Sequence, residues 1–268
     1  MTTSILFIGA GRMAEAVFSG LLKQKPCPFS PIYVANRQNH AHLENLQSLY
    51  PIETLDRWEE VAANAEVIVL AMPPHAHEEV LERVSPYVDT QLIVTVAAGI
   101  GPSYLESKLP EGASTAWIMP NTAAQVGASM SLYAVGQTVT EVQRGWLANI
   151  LAAIGFSEEM TEAQIHELTA ITGSAPAFFY EFALQLEDAA KSFGISETLA
   201  RKLVSNMLIG SAKMLEAEED PLVLREQVTS PGGATAAGLA SLSENDFSDV
   251  VHSAIVAVNA RAREQGES

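Results

Sequence analysis

The stretch Ser4-Ile5-Leu6-Phe7-Ile8-Gly9-Ala10-Gly11-Arg12-Met13-Ala14 runs from an apolar segment through a glycine-rich turn into an amphipathic pattern. Its last six residues have the GxGxxA spacing of a dinucleotide phosphate-binding turn between a first strand and a first helix. Gly9 permits the tight turn, Gly11 lets a pyrophosphate approach the backbone, and Ala14 lets the helix pack closely on the sheet. Ala10, Arg12 and Met13 complete the predicted cofactor contact, where the helix dipole and free N–H groups supply local positive potential. About 20 residues beyond the turn, NAD-preferring folds place an acid for the ribose hydroxyls. This chain has Asn36-Arg37 there. Arg37 can pair bidentately with a 2′-phosphate, so NADPH is favoured and NADH is the lesser alternative.

Outward from this turn, short apolar runs alternate with helical patterns, which predicts an α/β fold of the Rossmann type with a doubly wound, mainly parallel sheet. Expected strands are 4–9, 32–35, 67–72, 92–97 and 115–119, with helices at 13–22, 41–49, 58–65, 77–87 and 103–109. Near Thr161 the composition turns rich in Ala, Leu and Glu at helical spacing, with no convincing strand after it. Residues 1–160 are therefore assigned to a dinucleotide-binding domain. Residues 161–268 are assigned to a helical domain for substrate binding and dimerisation, punctuated at Gly173-Ser174-Ala175-Pro176, Gly194, Asp220-Pro221 and Ser230-Pro231-Gly232-Gly233.

The 268 residues carry 15 basic and 32 acidic side chains, a formal charge of −17. That balance argues against nucleic acid or an anionic membrane surface as partner. No apolar run approaches the roughly 20 residues needed to span a bilayer, and the N-terminal residues read as a strand without a basic leader. The single cysteine, Cys27, sits between prolines and has no partner for a disulfide, which points to a reducing, cytoplasmic setting. His75 and His77 sit two apart at a helix start after Pro73-Pro74, without an evident third ligand, so they read as loop or cap residues and no metal is expected. His40 and His42 read the same way. The run Glu216 to Asp220 reads as a solvated helix end.

Chemistry must also come from the helical half. In Gln227-Val228-Thr229-Ser230-Pro231-Gly232-Gly233-Ala234-Thr235, Ser230 and Pro231 read as an N-cap and first helical residue, and the glycines leave first-turn N–H groups uncovered. Such a start suits a small carboxylate, with the Thr235 hydroxyl beside it. At these residues the chain resembles the pyrroline-5-carboxylate reductase family. The resemblance runs through the Gly9 to Ala14 turn, Asn36-Arg37, Ala97-Ala98-Gly99-Ile100, Met119-Pro120-Asn121-Thr122, Gly173-Ser174-Ala175-Pro176-Ala177-Phe178 and Gln227 to Thr235, essentially the whole chain. It implies NADPH-dependent reduction of a cyclic imine to proline. It also implies a substrate carboxylate held by Ser230, Gly232, Gly233 and Ala234, with Glu218 and Gln227 nearby and Thr235 hydrogen-bonded to the ring nitrogen. Ala71, Met72, Pro73, Ala98 and Gly99 would meet the cofactor, and an intertwined homodimer, in some cases assembled further, is expected.

Two departures stand out. The family commonly reads Ala-Val-Lys-Pro where this chain has Ala71-Met72-Pro73-Pro74, and has arginine where Trp117 stands, so neither cationic role carries over. Imine reduction requires a hydride and a hydrogen bond or proton at nitrogen, and needs no base to strip a hydroxyl. A β-hydroxyacid dehydrogenase of similar architecture would need a lysine early in the helical domain. After Gly173 there is none until Lys191. A non-catalytic, regulatory relative is the other alternative, kept open by Pro73 and Trp117 and opposed by Thr235 and the intact Ser-Pro-Gly-Gly segment. The apolar faces of 175–193 and 199–215 exceed what a small helical domain buries alone, which favours a homodimer.

Overall fold

The computed structural model describes residues 3–217 and 220–266. Two compact units divide it, residues 1–173 with 262–268 and residues 174–261. The first holds one eight-stranded sheet in the order β3-β2-β1-β4-β5-β6-β7-β8. Its strands are β1 (Thr3–Ile8), β2 (Phe29–Ala35), β3 (Glu53–Leu55), β4 (Val67–Leu70), β5 (Leu92–Thr95), β6 (Ser114–Met119), β7 (Ser129–Val135) and β8 (Gly155–Glu159). All neighbours pair in parallel except β6 with β7. The helices of this unit are α1 (Arg12–Lys23), α2 (His40–Leu49), α3 (Glu59–Ala62), α4 (His77–Val84), α5 (Pro102–Lys108), α6 (Glu141–Ala152) and α7 (Glu162–Thr169).

Alternation along β1 sorts the core into two layers. Ile5 and Phe7 join Val17, Phe18 and Leu21 of α1 on one face, and Leu6 and Ile8 join Trp58, Leu81 and Leu105 on the other. β4 and β5 are buried along their whole length, as a parallel sheet covered on both faces requires. A third cluster sets Trp117 of β6 and Leu132 of β7 against Ile165 of α7. That helix therefore packs against the sheet although its composition matches the helical half.

All five expected strands form, and three more join them. β3 is a three-residue edge strand and β8 an exposed edge, Gly155-Phe-Ser-Glu-Glu, whose polar composition resembles a loop. In β7 the hydroxyls of Ser129 and Ser131 point inward, 3.0 Å apart, so apolar alternation fails although the strand is buried. Helix α6 was also unexpected, and its signal is local. Thr140 and Gln143 form a capping box, with each side chain meeting the other's backbone N–H.

The regular structure of the second unit's described residues is all helical: α8 (Ala175–Ser192), α9 (Glu197–Glu216), α10 (Pro221–Gln227), α11 (Ala234–Glu244) and α12 (Phe247–Gly266), whose residues from Ala262 on are grouped with the first unit. Only Ala200 and Val204 are buried among them, whereas Phe179, Phe182, Leu203, Met207 and Ile209 stay exposed. So little burial leaves a helical unit short of a core. Among the described residues no helix is long and apolar enough to cross a membrane.

Replacing Thr140 by Ala should remove the α6 capping box and cost about 1 kcal/mol. Thermal denaturation should then show a Tm about 2–4 °C lower; an unchanged Tm would mean that packing alone fixes the start of α6.

Candidate functional site

The β1–α1 turn is shaped by its neighbours. Gly9 has φ +110°, donates its N–H to Ala35 O at 2.9 Å, and lies so close to β4 that a Cβ there would fall 2.5 Å from Ala71 O. A side chain at this position is excluded twice over, by φ and by space. Gly11 is the N-cap of α1 with no side chain capping it, and a Cβ built on it would meet nothing within 4 Å. The first intrahelical bond runs from Glu15 N–H to Gly11 O, so the N–H groups of Arg12, Met13 and Ala14 precede the helical ladder. Open space before an uncapped helix start fits a pyrophosphate.

The other predicted cofactor residues gather at the same sheet edge. Asn36 and Arg37 follow β2, Ala71, Met72 and Pro73 follow β4, and Ala98 and Gly99 follow β5. Connections from β1 pass to β2 on one side and from β4 onward on the other, so β1 and β4 flank the topological switch point where such sheets bind ligands. Arg37 is exposed and its Nη1 lies 3.4 Å from Glu79 Oε2 of α4.

Two histidines depart from the expectation of exposed loop or cap residues. His42, partly buried in the first turn of α2, has Nε2 2.8 Å from Ala10 O; because a carbonyl only accepts, this nitrogen carries a proton and ties α2 to the phosphate turn. His77 is wholly buried. Its Nδ1 lies 3.2 Å from Pro73 O and its Nε2 2.9 Å from Thr95 Oγ1, which also accepts from Ala97 N–H at 3.2 Å. Burial holds the imidazole below its ordinary pKa, so it is neutral near pH 7. Its one proton then belongs on Nδ1, facing the carbonyl, and Nε2 accepts from the Thr95 hydroxyl. The spacing of His77 from Leu81 and Val84, at i, i+4 and i+7, puts it on the buried face of α4 and is the signal that marks it, while its partner Thr95 comes from the fold.

Trp117, where the family commonly has arginine, is also buried. Its Nε1–H donates to Ala97 O at 2.8 Å, and its ring lies 5.0 Å from that of His166. Asn121 accepts from Ala123 N–H and donates from Nδ2 to Thr172 O at 2.9 Å, inside a π-helical turn, Ala170–Ser174, that leads into α8. Gly173-Ser174 therefore widens the helical path, where a plain break was expected.

In the second unit, Gly233 N–H bonds Ser230 O at 2.9 Å and Gly232 has φ +71°. With Pro231 at its second position this is a type II turn. It corrects the sequence reading of Ser230 as N-cap: Gly233 is the N-cap of α11, again without a capping side chain, and Thr235 is the second helical residue, exposed. Ala237 N–H makes the first intrahelical bond, to Gly233 O, so the N–H groups of Ala234, Thr235 and Ala236 precede the ladder. Gln227 closes α10, and Glu218 lies outside the described residues.

Residues 162–265 match the family model for pyrroline-5-carboxylate reductase dimerisation. The chain is 35% identical to pyrroline-5-carboxylate reductase 1 of Bacillus spizizenii over 265 residues, 97% of this chain and 88% of that protein. The chain belongs to the pyrroline-5-carboxylate reductase family. Residues 4–99 match a model described as NADP oxidoreductase, coenzyme F420-dependent. The reductase of Staphylococcus haemolyticus is 31% identical over 94% of this chain and 95% of its own length. Among solved structures, the Coxiella burnetii family member superposes with a TM-score of 0.89 at 30% identity, and the Plasmodium falciparum one, with NADP bound, with 0.85 at 27%, each covering 98% of both chains. This family membership makes the chain a nicotinamide-dependent oxidoreductase.

Because His77 is neutral in the fold and titrates near 6.5 when unfolded, the unfolded state binds the extra proton on acidification. Its contribution is full above pH 6.5 and is lost as pH falls below it, at up to about 1.4 kcal/mol per pH unit. Urea unfolding of wild type and His77→Gln should thus show a stability gap that narrows from pH 7.5 to 5.5. A constant gap would contradict a buried neutral imidazole.

Proposed function

We propose that this chain reduces 1-pyrroline-5-carboxylate to L-proline with NADPH as preferred donor. The observation that supports the substrate assignment is the start of α11, where a type II turn leads into three unladdered N–H groups, with Thr235 as the second helical residue. A carboxylate accepts from such N–H groups, with Ser230, Gly232, Gly233 and Ala234 around it and Gln227 near. Thr235, one residue further, orients the ring nitrogen through its hydroxyl. It is the residue to which we assign the catalytic role. A bound reduced nicotinamide supplies a hydride to one face of the C=N bond. The protein's own work is orientation and charge: the carboxylate fixes the ring, and the hydroxyl hydrogen-bonds nitrogen as it gains electron density.

For the cofactor we assign the Gly9 to Met13 turn to the pyrophosphate, Asn36 and Arg37 to the 2′-phosphate end, and the loops at Ala71 to Pro73 and Ala98 to Gly99 to the remainder. Arg37 is the basis of the NADPH preference, because it stands where a carboxylate would repel a 2′-phosphate. We further infer a homodimer built through the helical unit, supported by the exposed apolar residues of α8 and α9 and by the dimerisation model that spans them. A cytoplasmic setting accords with the lone, unpaired Cys27.

Thr235→Ala should lower kcat by about 100-fold and leave the Kd for NADPH within twofold of wild type; unchanged turnover would remove Thr235 from the mechanism. Arg37→Ala should raise KM for NADPH by about tenfold, the loss of one charge-assisted contact, with little change for NADH. Equal losses with both would make Arg37 a fold residue.

A further inference from the structure

Pro73 and Trp117 lie at opposite ends of one run of hydrogen bonds that is buried except at its Pro73 end. Starting at the β4 exit, Pro73 O accepts from His77, which accepts from Thr95. The same hydroxyl oxygen takes the Ala97 N–H, and Ala97 O takes the Trp117 indole N–H, at 3.2, 2.9, 3.2 and 2.8 Å in turn. Pro73 itself is exposed, but His77, Thr95, Ala97 and Trp117 are buried. Both polar backbone groups of Ala97 are thus taken by side chains, one from each side, immediately before Ala98 and Gly99. The last sheet bond on this stretch is from Val96 N–H to Leu70 O at 3.2 Å, one residue before Ala97.

We propose that His77, Thr95 and Trp117 are positioning residues that set the β4 and β5 exit loops at the width a nicotinamide dinucleotide requires. None of the three is placed to touch the cofactor itself. They act through the backbone of Pro73 and Ala97, and they do so as a neutral scaffold that works by shape. The buried setting matters, since hydrogen bonds shielded from water hold geometry and leave a costly orphan when one partner is removed. Thr95 is the joint: removing its hydroxyl orphans His77 Nε2 and Ala97 N–H together. The proposal rests on the assignment of these loops to the cofactor, given under Proposed function.

The test is NADPH binding followed by nucleotide fluorescence, which needs no turnover, with Thr95→Val and Thr95→Ser compared. Valine keeps the branched shape and loses the hydroxyl; serine keeps the hydroxyl. We expect Thr95→Val, which removes both bonds of that hydroxyl, to raise the Kd for NADPH by about tenfold. Thr95→Ser should restore it to within threefold, and KM for the imine should stay within twofold in both. Trp117→Phe, which deletes only the far donor, should raise the Kd in the same direction, and serves alone if the valine variant fails to fold. Unchanged NADPH affinity in the folded valine or phenylalanine variant would overturn the proposal, as would equal losses in Thr95→Val and Thr95→Ser. The underlying assignment fails separately, if Gly11→Asp, which fills the open side of the phosphate turn, binds NADPH as wild type does.

Discussion

The backbone crossing at Gly9 is the constraint on which the rest of the nucleotide-binding unit depends. β1 ends where β2 and β4 press from either side, with Gly9 N–H on Ala35 O and Ala71 N–H on Ile8 O, and only a residue without Cβ passes between them. That passage turns the chain out of the sheet and sets α1 with its N-terminus open at the strand ends. The exits of β2, β4 and β5 then face the same edge because parallel pairing brings them there in register. One glycine's geometry thereby gives four loops a common place.

In the assignment proposed above, the helix starts at Gly11 and Gly233 answer a charge problem common to cofactor and substrate. Both ligands are anions, and the chain carries a net charge of −17. Global field and local site oppose each other, and the site prevails at short range because a salt-screened field fades over about 10 Å while N–H groups act at contact. At each start a glycine stands where a capping side chain would otherwise sit, so the backbone donors stay free for a ligand. Arg37 adds one cation to the first of these sites in the same assignment. Its pairing with Glu79 is between exposed groups, which costs little to exchange for a phosphate.

Much of this was legible in the sequence, because the signals were local. The glycine spacing, the five central strands and the helical second half follow from turn chemistry and periodicity. What could not be read was set by tertiary partners. β7 hides serines inside, so no alternation betrays it; β8 is polar because it is an edge. His77 reads as a helix cap from the His75-Ala-His77 pair alone, whereas its i, i+4, i+7 spacing with Leu81 and Val84 marks it as inward-facing. Trp117 looked like a lost cation, although its N–H is committed to Ala97. The helix start at Gly233 was misplaced by three residues because Ser-Pro begins a helix as readily as a type II turn, and only the positive φ of Gly232 separates the two.

The central claim is that this chain, as a pyrroline-5-carboxylate reductase, carries out one direct hydride transfer from the nicotinamide to the imine. Mass spectrometry of the product formed from 1-pyrroline-5-carboxylate and NADPH deuterated at nicotinamide C4, on the transferred face, measures that transfer atom by atom. The account predicts proline carrying one deuterium at ring C5. Unlabelled proline, or no proline from protein that binds NADPH, would contradict it.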